Sequence, residues 1–274
     1  MTDVREAPVS AARTDPNPAG DYIWYELITP DPEGAKRFYD SVVGWNIGEG
    51  AAEYQGYRMI NTADGGMAGG VLPLTPEMQQ HGARPTWLGY IFVADVDQAV
   101  ASIEGAGGKA LMPATDIPGV GRIAMVADPQ GAPFYVMKPI PPEGRENEPS
   151  DVFSPDKVGR CGWNELATRD PNGALDFYTS QFGWTKGDTM PLGDIGDYQF
   201  ITHHGLMLGA IMTAAPDRPT RWRFYFRVAN VDDAKGAVEA GGGTVLHGPQ
   251  EVPGGDRILI GTDPQGAEFA LVGK

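Results

Sequence analysis

Two glutamates, Glu26 and Glu165, occupy equivalent places in two similar stretches of the chain, each two residues after a tryptophan. Residues two apart in a strand lie on the same face, so each carboxyl group is expected beside an indole, Trp24 or Trp163. A carboxyl group beside a large apolar ring in a partly dry cavity has a raised pKa and could act as a general base. The alternative is a structural carboxylate bound to the backbone or to an arginine.

Arg122 and Arg257 recur in the same way, each shortly after a Pro-Gly pair. Their guanidinium groups could hold a carboxylate or carbonyl group of a ligand, or could form ion pairs within the fold. Aromatic side chains in predicted strands could line a cavity for a small planar or hydrophobic ligand, or could belong to the core. The catalytic candidates are therefore Glu26 and Glu165. The candidate ligand-binding residues are Trp24, Tyr57, Tyr90, Arg122, Tyr135, Trp163, Tyr198, Tyr225 and Arg257.

Other kinds of chemistry find little support in the sequence. His203 and His204 are adjacent, so in a strand or turn their side chains point apart, and no acidic residue lies at metal-ligand spacing. Cys161 has no histidine nearby in the sequence and is predicted to be a small buried apolar residue. The chain contains neither a Gly-x-Ser-x-Gly motif nor a phosphate-binding loop.

Composition limits the partners and the compartment. A net charge of −15 over 274 residues argues against binding to nucleic acid or to anionic membranes. The lone cysteine is typical of a reducing environment, and we predict a cytoplasmic protein. Residues 1–20 lack the basic start and apolar centre of a signal peptide and are predicted to be a poorly ordered leader.

The chain is a tandem repeat. The windows Trp24–Trp45 and Trp163–Trp184 align without gaps and share 13 identities in 22 positions, and two later pairs of segments follow in the same order. A repeat of about 135 residues suits a whole domain. We predict one domain over 21–139, a Pro-rich linker over 140–157 and a second domain over 158–274. A short, stiff linker favours packing of the halves about a pseudo-two-fold axis in a monomer, although a homodimer is an alternative.

Each half shows alternating signals for strands and helices. "YIWYELIT" has the pattern of a strand, and the following "DPEGAKRFYDSVVG" has Asp31 as N-cap, Pro32 in the first turn and Gly44 as the end of a helix. Further strands surround a second helix that ends in glycines. The predicted order is β-α-β-β-β followed by β-α-β-β-β in each half, an α+β fold.

These elements together resemble the vicinal oxygen chelate superfamily, the group of glyoxalase I, bleomycin-resistance proteins and extradiol dioxygenases. The resemblance rests on Trp-x-Glu-Leu, the helix with "FY" and "GW", the "VDDA…GG" helix and "DPQG" before the last strand. It covers nearly all of both halves, and more narrowly the chain resembles the two-domain, glyoxalase-like bacterial proteins often named as hydroxylases. It implies two βαβββ modules per half, forming a U-shaped sheet around a cavity.

In catalytic members of this superfamily the cavity holds a divalent metal, bound by His, Gln or Glu. By resemblance, one ligand position falls on Trp24 and Trp163, and another on Tyr135 and Ala270, while the stretches "WLGYIF" and "WRFYFR" carry neither His nor Glu for a third. Indole, phenol and methyl groups do not replace such ligands. We therefore expect no metal and no other cofactor.

The leading hypothesis is a metal-free protein that binds a small organic molecule in one or both cavities. Differences between the halves at Tyr135/Ala270 and Tyr25/Asn164 indicate that one cavity is functional and the other a scaffold. A second hypothesis is a metal-independent lyase, isomerase or hydroxylase-type enzyme that uses Glu26 or Glu165 as general base. A third is a protein that confers drug resistance by sequestering its ligand.

Overall fold

A computed structural model describes residues 16–141, 143–145 and 147–274, so most of the predicted leader lies outside the described residues. The first half contains eight strands and three α-helices. In chain order these are β1 (Tyr22–Thr29), α1 (Pro32–Val43), β2 (Asn46–Ile47), β3 (Arg58–Asn61), β4 (Met67–Pro73), α2 (Pro76–Gln80), β5 (Thr86–Phe92), α3 (Val96–Gly105), β6 (Lys109–Ile117), β7 (Gly121–Ala127) and β8 (Pro133–Pro139).

The second half repeats this order without a counterpart of α2. Its elements are β9 (Cys161–Thr168), α4 (Pro171–Phe182), β10 (Thr185–Pro191), β11 (Asp197–His203), β12 (Leu206–Thr213), β13 (Arg221–Arg227), α5 (Val231–Ala240), β14 (Thr244–Glu251), β15 (Arg257–Thr262) and β16 (Glu268–Gly273). No helix among the described residues is long and apolar enough to cross a bilayer.

Local sequence signals explain the ends of the first helix of each half. The Asp31 side chain accepts a hydrogen bond from the Gly34 amide at 2.8 Å, which caps α1, and Asp170 caps α4 in the same way. Gly44 ends α1 with φ of 81°, a left-handed conformation that glycine adopts without steric cost. The predicted N-cap, helix start and helix end of α1 are confirmed.

Each half forms one mixed sheet of eight strands. The orders are β2-β3-β4-β1-β5-β8-β7-β6 and β10-β11-β12-β9-β13-β16-β15-β14. In the first sheet, β1 pairs in parallel with β4 and antiparallel with β5, which joins the two modules at the centre. The predicted α+β tandem duplication is confirmed.

Helices α1, α3, α4 and α5 and one face of each sheet contribute to a single core that runs through both halves. This core contains side chains of β1 such as Tyr25 and Leu27, together with Phe224 and Phe226 of β13. Helix α1 contacts α5, and α3 contacts α4. We call the sheet face that packs on this core the inner face and the opposite one the outer face. Strand alternation then directs Trp24, Glu26 and Ile28 to the outer face.

Repeated motifs bind each other across the boundary between the halves. Tyr39 of α1 donates a hydrogen bond to Asp263 at 3.1 Å, and its equivalent Tyr178 of α4 donates to Asp128 at 3.1 Å. Each aspartate belongs to a "DPQG" turn, and each tyrosine to the "FY" pair of a helix. These motifs therefore fix the packing of the halves.

The equivalent positions of the two halves carry different residues, Tyr25 and Asn164, because they meet at the boundary between the halves. These equivalent residues contact each other, since the Tyr25 hydroxyl donates a hydrogen bond to Asn164 Oδ1 at 2.8 Å. Both side chains are fully buried. Because the two side chains contact each other in the buried core, a large side chain at one position leaves room for only a smaller one at the other.

Candidate functional site

The outer face of the first sheet brings five of the predicted site residues together. Glu26 of β1 lies opposite Gly70 of β4 and Leu88 of β5, and Trp24 lies opposite Tyr90. Tyr90 is in turn paired with Tyr135 of β8, and the two rings stack at 4.3 Å between centroids. Tyr57, just before β3, completes the group. The members of this first-half cluster are Trp24, Glu26, Tyr57, Tyr90 and Tyr135.

Hydrogen bonds organise the first-half cluster around the carboxyl group. The Trp24 indole donates to the Tyr57 hydroxyl at 2.8 Å, and the hydroxyls of Tyr57 and Tyr90 lie near Glu26 and favour its ionised form. The Oε1 atom of Glu26 has no hydrogen-bond partner, although the side chain is only 3% exposed. Gly70 makes room for this arrangement, because a Cβ there would lie 2.0 Å from the Tyr57 hydroxyl.

Burial changes the acid–base behaviour of this cluster. Desolvation raises the pKa of Glu26 to about 7, and the hydrogen bonds from Tyr90 and Tyr57 oppose only part of that rise. The pKa values of Tyr57 and Tyr90 lie well above the usual 10.0 because of burial and the nearby Glu26. Near neutral pH, Glu26 can therefore take up or release a proton, whereas the phenols remain protonated.

The second half assembles the equivalent residues in a similar way. The Trp163 indole donates to the Tyr198 hydroxyl at 2.8 Å. The hydroxyls of Tyr198 and Tyr225 both donate to Glu165 Oε2, at 2.8 Å and 2.9 Å. Glu165 is 5% exposed, as buried as its counterpart. The members of this second-half cluster are Trp163, Glu165, Tyr198 and Tyr225, with Ala270 at the position of Tyr135.

An arginine distinguishes the two clusters. Arg223 of β13 lies opposite Glu165 and forms an ion pair with its Oε1. The same guanidinium group also pairs with Glu268 at 2.7 Å, and Arg221 pairs with Glu268 at 2.6 Å. The charge of the Glu165 carboxylate is thus balanced by an arginine inside the fold.

Sequence reasoning missed Arg223 as a partner of Glu165. The available signal was "RWRFYFR", where arginines recur with the period of a strand, and Leu88 stands at the equivalent place in "TWLGYIF". Recognising the pair required the register between β9 and β13, which places the two residues opposite each other.

Arg122 and Arg257 lie apart from both clusters. Arg122 of β7 pairs with Asp97 at 2.8 Å and with Asp116 at 3.0 Å. Arg257 forms an ion pair with Asp232 of α5. Since Asp97 belongs to α3 and Asp232 to α5, both arginines point to the helix side of their sheets. Both arginines therefore form ion pairs within the fold, one of the two roles that the sequence allowed.

The two positions that the resemblance assigned to metal ligands in each half lie on strands that flank a tyrosine of the fifth strand, Tyr90 or Tyr225. Register joins Trp24 to Tyr90 and Tyr90 to Tyr135, and in the second half Trp163 to Tyr225 and Tyr225 to Ala270. Indole lacks a free lone pair, and the phenols stay protonated well above neutral pH, so this donor set does not fit a divalent ion. Within the described part of the chain, no group of three or more His, Cys, Asp or Glu side chains could hold a metal.

The fold and the paired outer-face clusters define a tandem glyoxalase-like protein. The family model for the glyoxalase/bleomycin resistance protein/dioxygenase superfamily matches residues 22–136 and 158–271, and the chain belongs to this family.

Relatives share the whole two-domain arrangement. The chain is 31% identical over 252 residues to "Putative glyoxylase CFP32" of Mycobacterium tuberculosis, covering 91% of this chain and 93% of the relative. It is 32% identical over 267 residues to the anthracycline biosynthesis protein DnrV of Streptomyces peucetius, with 91% of each covered.

Solved structures share the fold at low identity. The 2,3-dioxygenase LapB from Pseudomonas sp. KL28 matches with a TM-score of 0.62 and 14% identity, over 94% of this chain and 93% of that chain. A Mn(II)-bound glyoxalase from Novosphingobium aromaticivorans matches with a TM-score of 0.61 and 19% identity, over 93% of this chain and 82% of that chain. At such identity the likeness concerns the fold alone.

Proposed function

We propose that the first half binds a small organic molecule at its outer face, beside Glu26, and that the second half is a scaffold. The unpartnered, buried Oε1 of Glu26 is the observation that carries the proposal. A buried polar atom without a partner costs free energy, and a ligand that bonds to it recovers that cost. The equivalent atom of Glu165 is already occupied by Arg223.

The surroundings of Glu26 support a ligand with an apolar body. Leu88, Ile123 and Met137 form a buried cluster with Tyr90 and Tyr135, and several methionines pack against it. Aromatic and thioether side chains provide an adaptable apolar surface. The names of the relatives, a glyoxylase and an anthracycline biosynthesis protein, agree with an organic small molecule.

Binding is proposed to be metal-independent in this chain. Support comes from the residues at the three register-matched positions, Trp24, Tyr90 and Tyr135, which offer no suitable donor set. The cytoplasmic location stays a prediction from the single cysteine of the chain, which is free and buried.

A second candidate function is proton transfer to or from the bound molecule. General acid–base catalysis is most effective when the pKa of the catalytic group is close to the working pH, and that of Glu26 is about 7. The protonated hydroxyls of Tyr57 and Tyr90 could stabilise an enolate-like charge. This would be a lyase, isomerase or hydroxylase-type reaction.

The test is a thermal-shift and calorimetric screen of small aromatic compounds against the wild type, Glu26→Gln and Glu165→Gln. We expect hits whose affinity falls with Glu26→Gln and is unaffected by Glu165→Gln, the matched change in the second half. The proposal would be contradicted if ligand affinity fell with Glu165→Gln but not with Glu26→Gln, or if no compound bound to the wild type. Turnover lost in Glu26→Gln with binding retained would identify an enzyme.

A further inference from the structure

The two halves contain similar clusters around a buried glutamate, and the cluster of the first half lacks one group that the second half has. Both present a buried glutamate, two tyrosine hydroxyls beside it and a tryptophan that donates to one of those tyrosines, and in the second half both hydroxyls donate to the glutamate. The second half adds a guanidinium group, from Arg223, on the remaining carboxylate oxygen. The first half has Leu88 at that position, and the corresponding oxygen of Glu26 has no partner.

We propose that the ligand of the first half is an organic cation, whose ammonium or amidinium group takes the place on Glu26 that the Arg223 guanidinium takes on Glu165. This inference rests on the proposed function and deepens it by naming the chemical class of the ligand. Charge-assisted hydrogen bonds to a buried carboxylate are about twice as strong as neutral ones.

The aromatic residues around Glu26 suit a cation as well. Trp24, Tyr90 and Tyr135 lie on neighbouring strands beside Glu26, and Tyr57 lies just before β3. Tyr90 and Tyr135 stack on each other, and an ammonium group that reaches the free face of any of these rings gains a cation–π attraction beside the carboxylate. Trp24 and Tyr57 are only partly buried, so they mark the side from which a ligand reaches Glu26.

Among the described residues, three titratable groups face Glu26. They are the hydroxyls of Tyr57, Tyr90 and Tyr135, whose pKa values lie above neutral pH. The neighbouring positions on β4 and β5, Gly70 and Leu88, carry no charge. A cation that binds to Glu26 therefore stabilises the ionised carboxylate, and below pH of about 7 its binding releases a proton.

The rest of the ligand is expected to be apolar. Met125 and Met137 on the first-half outer face correspond to Ile260 and Val272 in the second half. The buried apolar group on the outer face is larger in the first half than in the second. Flexible thioether side chains adapt to the shape of a bulky hydrocarbon or aromatic body.

Three probes of one shape test the charge requirement: benzylamine, benzyl alcohol and benzoate. Titration calorimetry at pH 6 and pH 8 measures affinity, and buffers of different ionisation enthalpy measure proton release. We expect benzylamine to bind about tenfold or more tightly than benzyl alcohol, more strongly at pH 8, with proton release at pH 6. Benzoate is expected not to bind.

Two reciprocal variants test whether the cation binds to the unpartnered oxygen of Glu26. Leu88→Arg supplies an internal cation and is expected to abolish benzylamine binding, whereas Arg223→Leu is expected to create a second benzylamine site in the other half. Leu88→Arg places a charge in a buried cluster and Arg223→Leu leaves Glu165 without its cation, so both variants are demanding and Glu26→Gln is the second test. It is expected to lower benzylamine affinity about tenfold or more without unfolding the protein.

The outcomes separate the two proposals. If benzyl alcohol binds as tightly as benzylamine, the proposal of a cationic ligand is overturned. The same holds if benzylamine binds more tightly at pH 6 than at pH 8. Both results leave the proposal of small-molecule binding at Glu26 intact. Binding of benzylamine that survives Glu26→Gln would also overturn the proposal of a cationic ligand. Absence of binding by any probe, together with no hit in the aromatic screen, would overturn both.

Discussion

The hydroxyl of Tyr178 donates a hydrogen bond to the carboxylate of Asp128, from the second half of the chain to the first, over 3.1 Å. A reciprocal bond joins Tyr39 to Asp263. Each tyrosine also accepts a bond from a buried tryptophan, Trp222 Nε1 to Tyr178 at 2.9 Å and Trp87 Nε1 to Tyr39 at 2.9 Å. Motifs that look like repeated site signatures are therefore contacts between the halves.

Removing either hydroxyl should weaken both halves at once. Tyr178→Phe and Tyr39→Phe each leave a buried carboxylate and a buried indole N–H with fewer partners, which we expect to cost about 1–3 kcal/mol. Because the core is continuous, calorimetry should give one cooperative transition in each variant. Tyr54→Phe, at a tyrosine that is 57% exposed, is the control and should change stability little. Two separate transitions would contradict this account.

Glu26 should make stability depend on pH. Its pKa in the folded protein, about 7, lies above the ordinary value of 4.5, so folding favours the protonated form. That stabilisation is fully present below about pH 4.5 and is lost as the pH rises through 7. Glu26→Gln should therefore match the wild type near pH 4.5 and exceed it above pH 7 by up to about 3 kcal/mol.

Denaturant unfolding at several pH values measures that difference in free energy of unfolding. Acidic groups elsewhere titrate equally in both proteins and cancel. A difference that stays constant between pH 4.5 and pH 8 would show that Glu26 does not titrate in this range.

Arg223 should be required for the stability of the second half. Arg223→Leu leaves the Glu165 carboxylate buried without its cation, an expected cost of about 3–5 kcal/mol at neutral pH. The double variant Arg223→Leu/Glu165→Gln removes the uncompensated charge and should recover much of the loss. A double-mutant cycle based on chemical unfolding tests the coupling. Additive effects of the two changes would mean that the ion pair contributes nothing to stability.

The purified protein should not depend on a divalent metal. We expect mass spectrometry to find no stoichiometric Ni, Zn, Fe or Mn, and the melting temperature to be the same with chelator or with added metal. The triple variant Trp24→His/Tyr90→His/Tyr135→Glu puts three donors at neighbouring positions and is the positive control, with a metal-dependent rise in melting temperature. Near-stoichiometric metal in the wild type would contradict the expectation.

Most of the architecture follows from the sequence by itself. The internal repeat, the helix N-caps at Asp31 and Asp170 and the alternation in the first strand fix two copies of one α+β domain. These are local signals, since a cap or a strand period depends on residues close together in the chain. The same alternation placed Glu26 beside Trp24 on one face of β1.

Only the tertiary structure decided how the two glutamates differ. Both follow a tryptophan by two residues, and nothing near them in the sequence separates their environments. The difference arises from residues about 60 positions away, Leu88 opposite Glu26 and Arg223 opposite Glu165, which strand register brings into contact. Electrostatic free energy depends on distance in space and on burial, so a carboxyl group with a raised pKa and an ion-paired one can share the same local sequence.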